Sequence, residues 1–130
     1  MNRVPPGNFQ IWETNIFSDS RGKLGSIDID SLPFVPKRLF WLFDVPDGET
    51  RGNHGHFKCN QFVCCLSGFI TIEICPPAMA STVIELRAGE SIFIPVRHWI
   101  RIVFNETGSV CGVFADTEYD PTDVFDEPIA

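Results

Sequence analysis

Short apolar runs alternate with turn-forming residues along most of the chain, and this pattern predicts an all-β protein. The runs are rich in β-branched and aromatic residues, which favour strands. Seven of them are found, at 38–43, 61–66, 69–74, 82–86, 91–94, 100–104 and 110–114. Proline, glycine, asparagine and aspartate separate them at intervals of about 8–12 residues. No window keeps a 3.6-residue apolar period for three turns. The pattern therefore predicts a β-sandwich or barrel of the jelly-roll kind.

The length and the even distribution of strands predict a single domain over residues 1–130. A chain of this size buries enough apolar surface to fold without disulfides. It contains no linker, internal repeat or low-complexity tract. Acidic residues concentrate after position 115, and we expect this C-terminal end to be loosely ordered.

Cysteine usage indicates a reducing compartment. The number of cysteines is odd, and most of them lie within apolar runs, which indicates buried thiols rather than a secreted disulfide framework. The five are Cys59, Cys64, Cys65, Cys75 and Cys111. The first twenty residues lack an apolar signal region, and no apolar run is long enough to span a bilayer. We expect a soluble, cytoplasmic protein that does not associate with membranes.

Charge argues against nucleic acid as a partner. The formal net charge is −7, and no stripe of lysine and arginine is present to neutralise a phosphate backbone. Seven of the ten basic residues are nevertheless arginine, whose planar fork suits phosphate and carboxylate groups. Arg21, Arg38 and Arg51 lie near the strands that carry the other notable residues, and we expect them to bind a small anionic ligand.

Two of the three histidines, His54 and His56, are separated by a single glycine. In an extended strand their side chains point to the same face, about 6.5–7 Å apart along the backbone. Imidazole titrates near neutral pH, so such a pair suits either metal binding or proton transfer. A purely structural role is the third possibility.

The spacing around these histidines resembles the first motif of the cupin superfamily, which runs Gly, five residues, His-x-His, three or four residues, Glu, six residues, Gly. Its positions are occupied here by Gly48, His54, His56, Gln61 and Gly68, with glutamine in place of glutamate. The resemblance implies a jelly-roll fold.

The second cupin motif is only partly present. Gly89 and Pro95 begin it, but Arg97 stands where glycine is expected and Ile100 where the third histidine ligand is expected. With Gln61 and Ile100 in place of two metal ligands the donor set is poor, although a shifted register could offer His98 as a third. We therefore predict no metal and no other cofactor, which leaves the imidazoles free for proton transfer.

A closer resemblance covers nearly the whole chain. The blocks that carry it are 19–24 (DSRGKL), 36–44 (PKRLFWLFD), 51–58 (RGNHGHFK) and 119–120 (YD). In order and spacing they resemble the WxcM-like group of cupins, which includes dTDP-4-keto-6-deoxyglucose 3,4-ketoisomerases. The resemblance implies a metal-independent sugar-nucleotide isomerase that forms a homodimer with exchanged N-terminal strands.

The chemistry implied by this resemblance needs one base and one acid. Moving a carbonyl from carbon 4 to carbon 3 of the sugar requires removal of the proton at carbon 3 and delivery of a proton to carbon 4. His54 and His56 are the candidates for this pair, and which one abstracts the proton is open. Gln61 is expected to orient an imidazole or a sugar hydroxyl.

The resemblance also implies ligand-binding roles. Arg38 and Arg51 are expected to hold the diphosphate, with Arg21 contributed by the partner's exchanged segment. Trp99 and Tyr119 match aromatic positions of the family, and we expect them to contact the thymine base. For both aromatics, packing in the core is the alternative.

Three departures from the family leave other functions open. Phe40 and Trp41 stand where characterised ketoisomerases usually carry tyrosines, and Ile100 replaces a histidine that usually follows the tryptophan. A related sugar-nucleotide epimerase and a non-catalytic nucleotide-sugar-binding cupin are the alternatives. The deoxysugar series and the base preference are not fixed by the sequence.

Overall fold

The structure, a computed structural model, describes residues 9–130. Residues 1–8 of the predicted single domain lie outside this range. The described part consists of strands and one turn of 3-10 helix, Ile29–Ser31. The strands are β1 (Ile11–Glu13), β2 (Asn15–Asp19), β3 (Gly22–Ser26), β4 (Arg38–Leu42), β5 (Thr50–His54), β6 (Gln61–Ser67), β7 (Phe69–Cys75), β8 (Thr82–Arg87), β9 (Glu90–Ile94), β10 (Trp99–Phe104) and β11 (Val110–Ala115).

The strands form two packed antiparallel sheets and a separate hairpin. The five-stranded sheet has the order β1-β9-β6-β11-β4, and the four-stranded sheet has the order β5-β10-β7-β8. Within residues 9–130, strands β2 and β3 pair only with each other. Neighbours in sequence often lie in different sheets, as in a jelly roll. The predicted all-β jelly-roll fold is thus confirmed, and no helix within residues 9–130 is long and apolar enough to cross a membrane.

All seven strands predicted from the apolar runs are present, and their ends differ from the prediction by at most one residue. Four strands lie outside these runs: β1, β2 and β3 were not predicted, and β5 was placed on a strand only through its histidine pair. Every residue of β2 and β3 is exposed, so the alternation that marks a half-buried strand is absent there. Strand β1 is only three residues long.

The core lies between the two sheets and is built largely from isoleucine. On β7, Ile70, Ile72 and Ile74 are fully buried at alternate positions, as expected for one face of a strand. Side chains of the same kind from β8, β9 and β10, together with apolar side chains of β1, β6 and β11, complete the cluster. Full burial of each such side chain stabilises the fold by about 1.5–3 kcal/mol.

The cysteines are buried and unbridged, as the apolar runs predicted. Burial raises the pKa of the Cys64 and Cys65 thiols to about 11. Both therefore stay protonated at neutral pH and serve as small apolar side chains.

The C-terminal segment, residues 116–130, is not loose, contrary to expectation. Gly55 and Phe125 exchange two backbone hydrogen bonds of 2.9 and 3.0 Å. The indole Nε1 of Trp99 donates to the Asp126 carbonyl at 2.9 Å, and the Ala78 amide donates to the Ile129 carbonyl at 2.9 Å. These bonds hold the segment against the four-stranded sheet. The segment is ordered by partners far away in the sequence, which its local composition does not indicate.

Gly68 forms the tight turn between β6 and β7 and offers a test of this packing. Its φ is +84°, and a Cβ there would lie 2.9 Å from Ser109 Cα. Gly108 has a similar φ of +81° but open space around it. Gly108→Ala should lower the free energy of unfolding by about 1–2 kcal/mol through the left-handed backbone alone. Gly68→Ala should lose about 1–3 kcal/mol more, because the methyl group overpacks the site.

Denaturant unfolding at one fixed protein concentration measures both losses. Equal losses for the two variants would contradict the packing described at Gly68.

Candidate active site

A cavity of about 330 Å³ opens between β4, the end of β5 and the C-terminal segment. We call it the histidine cavity. It contains four of the residues predicted from sequence to form the site, namely Arg38, His54, His56 and Tyr119. The remaining lining residues are Phe40, Cys59, Thr117, Glu118, Asp120 and Asp123.

His54 ends β5 and lies opposite Ile100 of β10, a residue of the buried core. A register shift interrupts this pairing, and the backbone of Gly52 and Asn53 has φ values of +83° and +58°. A Cβ on Gly52 would lie 3.1 Å from the Ile100 carbonyl oxygen. The glycine therefore permits the bulge that aims His54 into the cavity.

His56 lies just beyond the strand, after Gly55. A Cβ on Gly55 would lie 2.6 Å from the His98 carbonyl oxygen and would overlap the Phe125 ring, so only glycine fits between them. The rings of His54 and His56 have centroids 5.0 Å apart and are almost perpendicular, at 86°. The bulge and the Gly55–Phe125 pair bring the imidazoles together, where the sequence predicted a regular strand.

Backbone carbonyls fix the tautomer of both imidazoles. Nδ1 of His54 lies 2.6 Å from the Gly52 carbonyl, and Nδ1 of His56 lies 2.5 Å from the Asp123 carbonyl. A carbonyl only accepts hydrogen bonds, so each Nδ1 carries the proton. In the neutral ring Nε2 then holds the lone pair and is the basic atom.

The surroundings of His56 favour its neutral form. Desolvation by burial lowers its pKa below the ordinary value of 6.5, and the charges of His54 and Arg38 act in the same direction. The hydrogen bond to the Asp123 carbonyl and the Asp123 charge oppose this effect. Because the net shift is downward, His56 is a neutral base at pH 7.

Arg38 supplies a fixed cation at the cavity wall. Its guanidinium carbon lies 5.1 Å from the Phe40 ring centroid and 5.5 Å from that of Tyr119. Its Nε is buried and has no hydrogen-bond partner among residues 9–130. A buried donor without a partner is costly in a folded protein, and an anionic ligand would satisfy it.

Gln61 and Trp99 do not line the histidine cavity. Gln61 is buried on β6, on the same face as Val63 and Cys65, and is separated from Arg38 by Ala115 of the intervening strand. Trp99 lies on the outer face of β10, where its indole anchors the C-terminal segment.

The structure also leaves Arg51 and Arg21 outside this cavity. Arg51 is exposed and lines a separate cleft with residues 41–46 and 49–50. Arg21 lies in the β2–β3 turn, is 88% exposed and forms an ion pair with Asp19 at 2.7 Å. Among the arginines of residues 9–130, Arg38 is therefore the one that lines the histidine cavity.

The remaining cupin positions also have defined places. His98 precedes β10, and its Nδ1 lies 3.0 Å from the Val96 carbonyl; it does not line the cavity. Arg97 has a φ of +69°, the left-handed region that the glycine of the motif favours. Within residues 9–130 no group of three or more histidine, cysteine or carboxylate side chains is arranged to hold a metal ion.

Asp123 is the site residue that sequence reasoning missed. It is 7% exposed and reaches His56 across 67 positions of the chain. Nothing in the local sequence distinguishes it from the other acidic residues of the C-terminal segment, because its role depends on the tertiary path of that segment.

Comparisons with known proteins relate the chain to sugar-nucleotide enzymes. A curated protein of Aneurinibacillus thermoaerophilus, TDP-4-oxo-6-deoxy-alpha-D-glucose-3,4-oxoisomerase, is 28% identical over 106 residues, which are 81% of this chain and 76% of that protein. A crystal structure of a mutant of the 3,4-ketoisomerase QdtA from Thermoanaerobacterium thermosaccharolyticum, in complex with TDP-4-keto-6-deoxyglucose, is also similar. It has a TM-score of 0.81 and 28% identity, covering 93% of this chain and 88% of that one.

A second structure shares the fold alone. The dTDP-6-deoxy-D-glucose-3,5-epimerase RmlC from Legionella pneumophila has a TM-score of 0.80 but 14% identity, over 96% of this chain and 76% of that one. At family level, the model described as FdtA, WxcM-like, C-terminal, matches residues 7–128. Because this match covers nearly the whole sequence, the chain belongs to the FdtA family of WxcM-like, C-terminal domains.

Proposed function

We propose that this protein is a sugar-nucleotide 3,4-ketoisomerase that acts on TDP-4-keto-6-deoxyglucose. The observation that carries the proposal is the pair of imidazoles in one cavity, each with Nδ1 bound to a backbone carbonyl and Nε2 left as the basic atom. The names of the similar proteins supply the substrate class.

The reaction is balanced by proton transfers alone. Nε2 of one imidazole removes the proton from carbon 3, and the electron pair of that bond forms the double bond of an enediolate between carbons 3 and 4. The imidazolium then returns a proton to carbon 4, while the hydroxyl proton at carbon 3 is transferred to the oxygen on carbon 4 and the electron pair left on the carbon-3 oxygen forms the new carbonyl. The neutral His56 suits the abstraction, since a general base works best with a pKa near the operating pH.

Arg38 is the proposed ligand of the diphosphate or of the developing enediolate. Its buried Nε and its place beside Tyr119 support either role. The exposed Tyr119 ring is the proposed contact surface for the thymine base of the nucleotide. Arg51 remains a proposed diphosphate ligand for a nucleotide that extends to its cleft.

The residues do not fit the metal site that other cupins use. Ile100 offers no donor and is buried in the core, and Gln61 lies outside the histidine cavity. Two imidazoles are too few ligands for a tight divalent site. We therefore assign no step to a metal and propose that the assay tolerates chelator.

Two alternatives are separated by one measurement. A non-catalytic nucleotide-sugar-binding cupin would bind the keto sugar without exchanging ring protons. An epimerase would exchange a proton at carbon 5 as well. Formation of the 3-keto product with deuterium from heavy water at carbon 4, and of recovered 4-keto substrate with deuterium at carbon 3 but not at carbon 5, would support the ketoisomerase alone.

We further propose that the protein forms a homodimer through β2 and β3. A lone hairpin is marginally stable in water, and this one exposes 64% of Phe17 and 60% of Leu24. A groove lies between the hairpin and the outer face of the five-stranded sheet, where Leu39 and Leu66 are each about half exposed. Strand β1 pairs with β9 of its own chain, so β2 and β3 are the N-terminal strands left for exchange.

The catalytic pair can be tested by replacing each histidine with asparagine. Loss of a general acid or base lowers the rate by about 10²–10⁴-fold. His54→Asn and His56→Asn should therefore slow isomerisation and exchange at carbon 3 by this factor, while binding TDP nearly normally. NMR of the sugar in heavy water measures both, and calorimetry measures binding.

His98→Asn is the matched control, because the Nδ1 of His98 also contacts a backbone carbonyl, but outside the cavity. It should leave the rate unchanged. Wild-type rates in both His54→Asn and His56→Asn would assign the pair a structural role.

The anion site can be tested by comparing three arginines. Arg38→Ala should weaken TDP binding by about 1.5–3 kcal/mol, the range for hydrogen bonds to charged groups, and Arg51→Ala should do so only if the diphosphate reaches its cleft. Arg87 contacts the Phe69 ring at 4.1 Å and lies outside the cavity, so Arg87→Ala is the control for loss of an aromatic-stacked arginine. Unchanged binding by Arg38→Ala would show that the cavity holds the nucleotide without it.

The dimer can be tested with charges on the hairpin. Phe17→Asp and Leu24→Asp should convert the dimer to monomers, because each would place a carboxylate in the apolar contact. Val83 is the control residue, because its side chain is also exposed, at 56%, but lies on β8 of the four-stranded sheet. Val83→Asp should therefore leave the mass unchanged. Light scattering after size exclusion gives the masses, and a monomeric wild type would contradict the proposal.

A further inference from the structure

Asp123 contacts the His56 loop through both its main chain and its side chain. Its carbonyl accepts the Nδ1–H of His56 at 2.5 Å, and its carboxylate accepts the amides of Phe57 at 2.9 Å and Lys58 at 3.2 Å. Its Oδ2 lies 3.9 Å from His56 Nδ1. A carboxylate that is 7% exposed thus lies on the side of the imidazole that faces away from Nε2.

The path of the C-terminal segment stabilises the contact between Asp123 and the His56 loop. Two residues after Asp123, Phe125 pairs with Gly55 through two backbone hydrogen bonds, and its ring centroid lies 4.8 Å from that of Phe57. One residue later, the Asp126 carbonyl accepts the indole N–H of Trp99. The position of Asp123 against His56 is therefore fixed by contacts on both sheet and loop.

We propose that Asp123 is a positioning residue for His56, which rests on the isomerase function proposed above. Its carbonyl fixes the ring with the proton on Nδ1, so that Nε2 exchanges protons with the substrate. Its carboxylate stabilises the imidazolium that forms when Nε2 takes up a proton, since opposite charges attract strongly where water is excluded. Asp123 itself acts only through His56.

Other charged groups near His56 also affect the stability of its imidazolium. The His54 ring from β5 and the Arg38 guanidinium from β4 both disfavour the imidazolium, whereas Asp123 is the carboxylate that favours it. Glu118, Tyr119, Asp120 and Cys59 are the other titratable groups that line the cavity. A change at Asp123 alone leaves all of these in place.

The test is Asp123→Asn, which removes the charge and retains an oxygen that can accept the loop amides. The pKa of His56, read from the imidazole resonances in an NMR titration, should fall, because the group that favours the imidazolium is gone. The acid limb of the kcat/KM profile should move to lower pH with it. The value of kcat should fall about 10–100-fold, the usual effect of removing a partner that orients a functional histidine.

Asp116→Asn is the matched control. The Asp116 carboxylate accepts the backbone amide of Asn60 at 2.8 Å and the side-chain amide at 2.7 Å, so it clamps the same loop without contacting His56. It should alter stability but not the pKa of His56 or the acid limb. An unchanged His56 pKa in Asp123→Asn, or equal shifts in both variants, would show that Asp123 holds the loop in place but does not position His56.

Two measurements test the proposal without depending on the folding of a variant or on catalytic activity. Nitrogen-15 shifts of the wild-type protein report the tautomer, and a neutral His56 with its proton on Nε2 would overturn the proposal without any variant. The NMR titration needs no turnover, so a wild type that fails to isomerise the sugar would contradict the proposed function while leaving the effect of Asp123 measurable. His56→Asn identifies which of the three histidines gives the resonance.

Discussion

The pairing of Gly55 with Phe125 is the interaction on which the histidine cavity depends. It joins the end of β5 to a segment that follows it by 70 positions, and that segment supplies both the outer wall of the cavity and Asp123. Only glycine fits at position 55, because the Phe125 ring and the His98 carbonyl occupy the space of a side chain. One backbone pair thus sets the shape of the cavity and the orientation of His56.

The electrostatics of the two imidazoles follow from their closeness. With ring centroids 5.0 Å apart, a charge on one disfavours a charge on the other. The charge of His54 therefore adds to desolvation in lowering the pKa of His56. Once one imidazole has taken up the substrate proton, the site contains an acid and a base together, which is what moving a proton between adjacent carbons requires.

The sequence was sufficient for the fold because the core strands alternate. On β7 the buried isoleucines recur at every second position, whereas β2 and β3 bury nothing within one chain and left no pattern to detect. His54 and His56 could be identified from their spacing. Arg51 was expected to bind the same ligand, but burial alternates along β5, so Arg51 is exposed and lines a separate cleft while His54 is half-buried. Bulges and long-range contacts such as that of Asp123 are not encoded in local periodicity.

The departures from the resembling ketoisomerases have a physical consequence in this cavity. Phe40 lines the wall below the Arg38 guanidinium and carries no hydroxyl, and Ile100 beside His54 belongs to the buried core. Apolar groups at these positions cannot relay protons, so no proton relay runs through either of them. The same apolar wall helps to exclude water, which is the leading cause of the lowered pKa of His56. Replacing polar neighbours by apolar ones thus removes proton carriers while keeping His56 in the neutral state that a base requires.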